Sequence, residues 1–177
     1  MAAVNQGKWI RSQTGGCEAI DQAQLVCFRK ELILSGASEK IPVRISADSR
    51  YKLYANGELV SFGPCKGDDK RRYADEPDLR PYLRTGRNLL AVEVMFVGSD
   101  AWNSNHSLFT AGLHALFIEG IEAAGWRCHG AAVSFPAEEE GFSPLHIHEK
   151  AVGDPATAGW KEADFDESIW EEACVCA

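Results

Sequence analysis

The chain has 177 residues, and its 18 basic and 26 acidic side chains give a net charge of −8. That length suits one domain with its own core, and a hydrophobic fraction of 45% excludes a disordered or collagen-like chain. The acidic balance argues against a nucleic-acid or anionic membrane partner, because both attract a surplus of Lys and Arg. The longest apolar run, residues 89–97, contains Glu93 and reaches about half of the ~20 residues that a membrane span needs.

The N-terminal residues 1–9 lack a basic stretch followed by an apolar one, so they signal no secretion. We therefore expect a cytoplasmic location, unless a leader was removed. The cysteines are spread along a chain that is long enough to fold without disulfides, and no C-x-x-C pair is present. We expect reduced thiols at all six positions, which are Cys17, Cys27, Cys65, Cys128, Cys174 and Cys176.

Hydrophobic and polar residues alternate through much of 24–118, which predicts β-strands. The strongest signal is Asn56-Gly57 between two alternating segments, because both residues accept the positive φ of a type I′ hairpin turn. The apolar end of the first strand, at 32–34, predicts burial on both of its faces there. The predicted strands are 24–35, 41–47, 51–55, 58–62, 88–97 and 109–118, and the alternating apolar set in the last of these is Ala111, Leu113, Ala115 and Phe117.

Helical signals are short. Pro77 suits the first turn of a helix over 77–83, but Pro81 prevents a long one. Asp164 stands three residues before Glu167, and this capping-box-like spacing predicts a short helix over 164–170. Many short strands with little helix predict an all-β sandwich that carries one or two short helices.

Proline and glycine residues punctuate 131–158, which we interpret as a long crossing loop around one strand at 145–148. We divide the chain into a sandwich at 1–158 and a segment 159–177 that begins, or bridges to, another module. Trp160 and Trp170 need an apolar surface that buries them, and that surface is missing here if the natural chain continues.

Motifs for catalysis are absent from the sequence. The acidic residues cluster in runs that are typical of solvated surfaces, and no G-x-S-x-G or phosphate-binding glycine loop is present. His146 and His148 share one face of a predicted strand, but with Cys128 they form no ligand set at fixed spacing. We therefore predict no catalytic residue, no metal site and no cofactor.

One loop has the composition of a carbohydrate-binding surface. Residues 98–107 join two predicted strands and combine Trp102, whose ring can stack on a pyranose, with groups that bond hydroxyls. The predicted sugar contacts are Trp102, Asn103, Asn105 and His106. The alternative is that Trp102 plugs an open end of the sandwich, which is the commoner fate of a single Trp.

Several segments, in chain order, resemble the N-terminal β-sandwich of bacterial α-L-rhamnosidases. The most specific is ADSRYKLYANGELV at 47–60, which is followed by Gly63-Pro64. FRKEL at 28–32, DLRPYLRTGRNLLAV at 78–92 and GLHA at 112–115 are similar to the neighbouring strands and short helix of that domain. FDESIW at 165–170 is similar to a motif that rhamnosidases share with the sugar-binding domains of β-galactosidase-like enzymes.

This resemblance implies a galactose-binding-like jelly roll that accompanies a catalytic (α/α)₆ barrel. The acid and base of the family belong to that barrel, so no catalytic residue carries over to this chain. We therefore predict a non-catalytic accessory domain of an α-L-rhamnosidase-like glycoside hydrolase, with the catalytic module of the same polypeptide as its partner. The alternatives are a free-standing carbohydrate-binding module for rhamnose-containing glycans and a ligand-free structural interaction domain.

Overall fold

A computed structural model describes residues 7–13, 24–36, 40–65, 73–96, 115–131, 133–134, 150–151 and 155–176. Within these ranges the chain forms β-strands and one short 3-10 helix at Arg80–Tyr82. The strands are β1 (Lys8–Arg11), β2 (Gln24–Leu34), β3 (Arg44–Ala47), β4 (Arg50–Ala55), β5 (Glu58–Gly63), β6 (Gly86–Phe96), β7 (Leu116–Glu119), β8 (Arg127–Gly130), β9 (Val133–Ser134), β10 (Lys150–Ala151), β11 (Glu171–Glu172) and β12 (Cys174–Val175).

The strands form two main antiparallel sheets that enclose the core. The larger sheet has six strands in the order β11-β8-β2-β6-β4-β5, and the smaller has four in the order β12-β1-β7-β3. β9 and β10 pair with each other. One buried cluster takes side chains from both sheets, including Phe28 from the larger and Leu116 and Ile118 from the smaller. The predicted all-β sandwich is confirmed.

β2 and β6 form the centre of the larger sheet and pair from Gln24↔Phe96 to Leu34↔Gly86. β2 is buried on both faces over residues 25–29, whereas Ile33 near its end is 71% exposed. The prediction of two-sided burial at 32–34 is therefore wrong. The physical reason is that the C-terminal part of the chain packs on the outer face around Cys27 and does not cover the end of the strand.

The hairpin of β4 and β5 is as predicted. Asn56 and Gly57 have φ values of 50° and 84°, which are the left-handed conformations that a type I′ turn requires. The pairing shifts register between Leu53 and Tyr54. Such a bulge bends the edge strand, and it fixes the outline of this edge of the larger sheet.

The edge of β3 is covered by the segment that precedes the 3-10 helix. The backbone N–H of Ile45 donates to the carbonyl of Asp75 at 2.9 Å, and that of Val43 donates to Pro77 at 3.2 Å. The strand predicted at 41–47 is therefore shorter than expected, because its first residues bond to this segment instead of joining the sheet. The helix itself confirms the short helix that Pro81 was expected to limit.

Residues 155–170, which we name the C-terminal strap, cross the outer face of the larger sheet in a series of turns. The helix predicted over 164–170 is wrong. Oδ1 of Asp166 accepts a hydrogen bond from the N–H of Ser168 at 2.9 Å, and such local side-chain bonds compete with helix formation. Trp160 and Trp170 are 7% and 1% exposed against this sheet, so the surface that buries them belongs to this chain.

The chain continues from the strap into both sheets. β11 pairs with β8 of the larger sheet, and β12 pairs with β1 of the smaller. Residues 171–175 are thus part of the sandwich. The division at residue 158 stays a prediction, and any bridge to a further module starts from a segment that is already packed on these sheets.

Other predictions meet the structure only in part. β7 overlaps the predicted strand 109–118 only over residues 116–118. Leu116 and Ile118 face the core, whereas the predicted alternation included Phe117, which packs beside Trp9 at 5.5 Å between ring centroids. The strand predicted at 145–148 lies outside the described residues. No helix in the described ranges is long and apolar enough to cross a membrane, and the cytoplasmic location stays a prediction.

Candidate functional site

The residues predicted to contact sugar all lie outside the described residues. They are Trp102, Asn103, Asn105 and His106, in the connection between β6 and β7. His146 and His148 also lie outside them, while Cys128 is buried in β8. Burial and the nearby carboxylate of Glu171 raise the pKa of the Cys128 thiol to about 12, so it is protonated at neutral pH. No group of three metal-binding side chains occurs among the residues that the structure describes.

The most developed polar site in the described ranges is centred on Arg29 of β2, which is 2% exposed. Its Nε donates to Oε2 of Glu167 at 2.8 Å. Its Nη1 donates to the carbonyl oxygens of Trp160 and Glu162, the second at 3.1 Å. A buried guanidinium is tolerated only when it is paired and hydrogen-bonded, and here the strap supplies those partners.

Aromatic rings surround this arginine. Its guanidinium carbon lies 4.9 Å from the centroid of the Phe165 ring. Phe165 in turn packs edge-on against Trp170 at 5.4 Å, and Trp170 stacks on His129 of β8 at 5.6 Å. These contacts exclude water from one side of the guanidinium and fix the strap to the sheet.

A second arginine lies at the outer end of the site. Nε of Arg87 in β6 donates to Oε2 of Glu31 at 2.5 Å, and its Nη2 donates to the carbonyl of Ala163 in the strap at 3.1 Å. The hydrogen bond to Glu31 raises the pKa of Arg87 above its ordinary value. The Arg87 side chain is 55% exposed, so this pair is accessible to solvent, in contrast to Arg29.

Asn88 occupies the position beside Arg87 and is 2% exposed. Its Oδ1 accepts hydrogen bonds from the N–H of Arg84 at 2.8 Å and from Nδ2 of Asn56 at 3.0 Å. Its Nδ2 donates to the carbonyls of Arg84 and Gly86 at 2.7 and 3.0 Å. The amide is therefore fully used in joining the hairpin turn to the start of β6.

These groups enclose a cavity of about 110 Å³ between the strap and the sheet, which we name the strap cavity. It is lined by Arg29, Glu31, Arg87, Asn88, Leu89, Ala163, Phe165 and Glu167. Two carboxylates face it, but each accepts a hydrogen bond from an arginine. A glycosidase needs two carboxyl groups that act on the substrate, whereas both carboxylates here are hydrogen-bonded to an arginine. The charged groups that line the cavity are therefore arranged in two ion pairs.

Comparison with known proteins gives a consistent picture. The sequence matches no protein-family model. It is 28% identical over 152 residues to an α-L-rhamnosidase of Streptomyces avermitilis, an alignment that covers 85% of this chain and 12% of the relative. The fold is similar to the crystal structure of a GH78 family rhamnosidase of Bacillus sp. GL1, with a TM-score of 0.70 and 26% identity over 96% of this chain and 18% of that one.

A second solved structure, the α-L-rhamnosidase from Dictyoglumus thermophilum, has a TM-score of 0.67 and 21% identity over 97% of this chain and 21% of that one. The chain thus spans between about an eighth and a fifth of the length of the relatives that it matches. The resemblance predicted from the sequence motifs is confirmed: over most of its length, this chain is similar to a β-sandwich part of α-L-rhamnosidases.

Proposed function

We propose that this chain is a non-catalytic accessory β-sandwich that works beside an α-L-rhamnosidase-type catalytic module in the same polypeptide. The observation that carries the proposal is the asymmetry of the alignments, which cover 85–97% of this chain but only 12–21% of the relatives. Relatives of this kind hold most of their residues outside the matched sandwich. In this proposal, the residues outside the sandwich form the catalytic module that hydrolyses terminal L-rhamnose.

The chemistry of the described residues supports a role without catalysis. Glu31 and Glu167 face the strap cavity, but both are engaged by arginines. Within the described residues, one cluster of buried apolar side chains takes its members from both sheets. A rigid sandwich of this type is suited to bracing a neighbouring module and to shaping the entrance of its substrate cleft.

The experiment compares the isolated chain with the polypeptide encoded by its natural reading frame. We expect the isolated chain to leave an aryl α-L-rhamnoside intact, and the extended polypeptide to hydrolyse it. The double variant Glu31→Gln and Glu167→Gln, placed in the extended polypeptide, should keep its kcat, because neither carboxylate takes part in bond cleavage. Hydrolysis by the isolated chain, or a stop codon directly after residue 177, would refute the proposal.

Carbohydrate binding by the loop at 98–107 is a second candidate function. The topology supports this role. β6 lies in the larger sheet and β7 in the smaller, so the residues between them connect the two sheets. Such connections often carry binding residues. Titration with rhamnosides, followed by tryptophan fluorescence, tests this role, and an unchanged affinity in Trp102→Ala would exclude the loop.

A further inference from the structure

The strap cavity contains a buried cationic group that its protein partners do not saturate. Arg29 lines the cavity and its side chain is only 3% exposed. Its Nε and Nη1 are bonded to the strap, but none of the hydrogen bonds found within the described residues uses Nη2. A guanidinium carries five N–H donors, so donors remain for a further partner.

The charges of the side chains that line the cavity balance, and the exposed Asp164 lies outside it, 3.6 Å from Arg87. Arg29 and Arg87 contribute two positive groups, and Glu31 and Glu167 contribute two negative ones. The side chains of Glu31 and Glu167 are 46% and 40% exposed, so their remaining lone pairs are accessible. Each carboxylate thus offers acceptors next to an arginine that offers donors.

This arrangement selects the chemical class of a ligand. An anion would be attracted by the arginines and repelled by the carboxylates, and a cation would meet the opposite problem. An apolar ligand would strip water from four ionised groups without replacing its hydrogen bonds. A hydroxyl group both donates and accepts, so a neutral molecule with several hydroxyls can satisfy both halves of each ion pair.

We propose that the strap cavity binds one neutral polyhydroxylated ring, a single sugar residue, through Arg29, Arg87, Glu31 and Glu167. Leu89 and Phe165 supply the apolar wall that ring C–H groups need. A cavity of about 110 Å³ is smaller than a whole monosaccharide, so it takes one edge of a single ring and leaves the rest of the sugar outside. The site is separate from the loop at 98–107 and does not depend on the proposed catalytic partner.

The experiment is an NMR titration of the full chain with methyl α-L-rhamnoside and, separately, with L-rhamnose and D-galactose. We expect the Nε–H signals of Arg29 and Arg87 to shift with at least one of these sugars. Because a single ring makes only a few hydrogen bonds, we expect a Kd of about 1 mM. Sodium acetate and inorganic phosphate serve as anionic probes, and we expect no saturable shift with either.

The variants distinguish recognition from folding. Among the described residues, Glu31 makes no hydrogen bond to the strap, so Glu31→Gln removes a negative charge from the cavity and leaves the strap contacts in place. We expect this variant to bind sugar about tenfold more weakly, and we expect the same loss in Arg87→Gln. The matched controls are Lys52→Gln and Glu93→Gln, which break an ion pair of 2.8 Å on the same face of the same sheet, outside the cavity. The controls should bind sugar as the unmodified chain does.

Several results would overturn the inference. These are the absence of saturable shifts with every sugar, saturable binding of acetate or phosphate in their place, and shifts confined to residues 98–107. An equal loss of affinity in the control variants would also overturn it. Because Arg87 also holds Ala163 in the strap, the Glu31→Gln variant, whose strap contacts are intact, decides the outcome if Arg87→Gln unfolds the strap.

Discussion

Nε of Arg29 lies 2.8 Å from Oε2 of Glu167, so a central strand and the C-terminal strap meet in an ion pair whose arginine is buried. The strap has no helix of its own, and side chains from the sheet therefore supply much of what holds it in place. Arg29 binds it at three points, and Arg87 binds it at the carbonyl of Ala163. The outer face of the sheet and the strap consequently depend on each other for their burial.

The first prediction concerns the substitution Arg29→Met, which keeps the volume but removes every donor. The carbonyls of Trp160 and Glu162 would lose their partner, and so would the Glu167 carboxylate. We expect the free energy of unfolding to fall by about 2–3 kcal/mol, below the range for a fully buried pair because Glu167 is partly exposed. Urea denaturation followed by circular dichroism measures this loss.

The control for this substitution is Lys52→Met. Lys52 pairs with Glu93 at the same 2.8 Å, but its side chain is 52% exposed. An exposed pair contributes less than about 1 kcal/mol, so this variant should stay close to the unmodified chain. Equal losses in the two variants would show that the buried arginine has no special role.

The second prediction compares two neighbouring residues of the strap. Trp170 is 1% exposed and donates from Nε1 to the carbonyl of Ala156 at 3.0 Å, whereas Ile169 is 67% exposed. Trp170→Ala should lower the free energy of unfolding by about 3–5 kcal/mol through the cavity that it creates. Ile169→Ala should change it by less than about 0.5 kcal/mol. Denaturation curves of the two variants test the assignment, and similar midpoints would contradict it.

Local sequence pattern predicted the features that depend on local chemistry. Asn56-Gly57 fixed the hairpin because few residue pairs accept two positive φ values in succession. Period-two alternation located β6, where Leu90, Val92 and Val94 are fully buried. Pro81 limited the helix to a single turn because a prolyl ring breaks a longer one.

Features that depend on distant contacts were missed. Arg29 looked like an ordinary strand residue, because its partner Glu167 is 138 residues further along the chain. The exposure of Ile33 has the same origin, since only the path of the strap decides which part of β2 is covered. Asp164 and Glu167 had helix-start spacing, but Glu167 is used in the ion pair to Arg29. The strap cavity could not be predicted from the sequence, because the side chains that line it come from β2, β6 and the distant strap.

The third prediction concerns cysteine reactivity. The Cys128 thiol is buried and its pKa is raised to about 12, mainly by burial, so almost no thiolate is present at pH 8. Cys65 is exposed. Iodoacetamide at pH 8 should therefore modify Cys65 at least about a hundredfold faster than Cys128, as followed by peptide mass spectrometry. In denaturant the two rates should converge, and equal rates in the folded chain would contradict the burial of β8.

The fourth prediction concerns the pH dependence of stability, through Asp78. Its Oδ1 accepts hydrogen bonds from the backbone N–H groups of Arg80 and Ile41, each at 3.0 Å, and thereby joins the 3-10 helix to the segment that precedes β3. These bonds, first that from Arg80 and then that from Ile41, lower the pKa of Asp78 below its ordinary value of 3.8.

A carboxyl group whose pKa is lowered by folding stabilises the folded state above its unfolded pKa, and this contribution is lost as the pH falls through the folded value. The variant Asp78→Ala should therefore be less stable than the unmodified chain at pH 7, and the difference should shrink as the pH is lowered below 3.8. Urea denaturation at a series of pH values measures the difference in the free energy of unfolding between the variant and the unmodified chain. The other titratable groups are the same in both proteins, so their contributions cancel in this difference. Asp164→Ala is the control, because that side chain is 99% exposed and its removal should change stability little at any pH. A difference between Asp78→Ala and the unmodified chain that stays constant from pH 7 to strongly acidic solution would show that the two backbone bonds do not act on the ionised carboxylate.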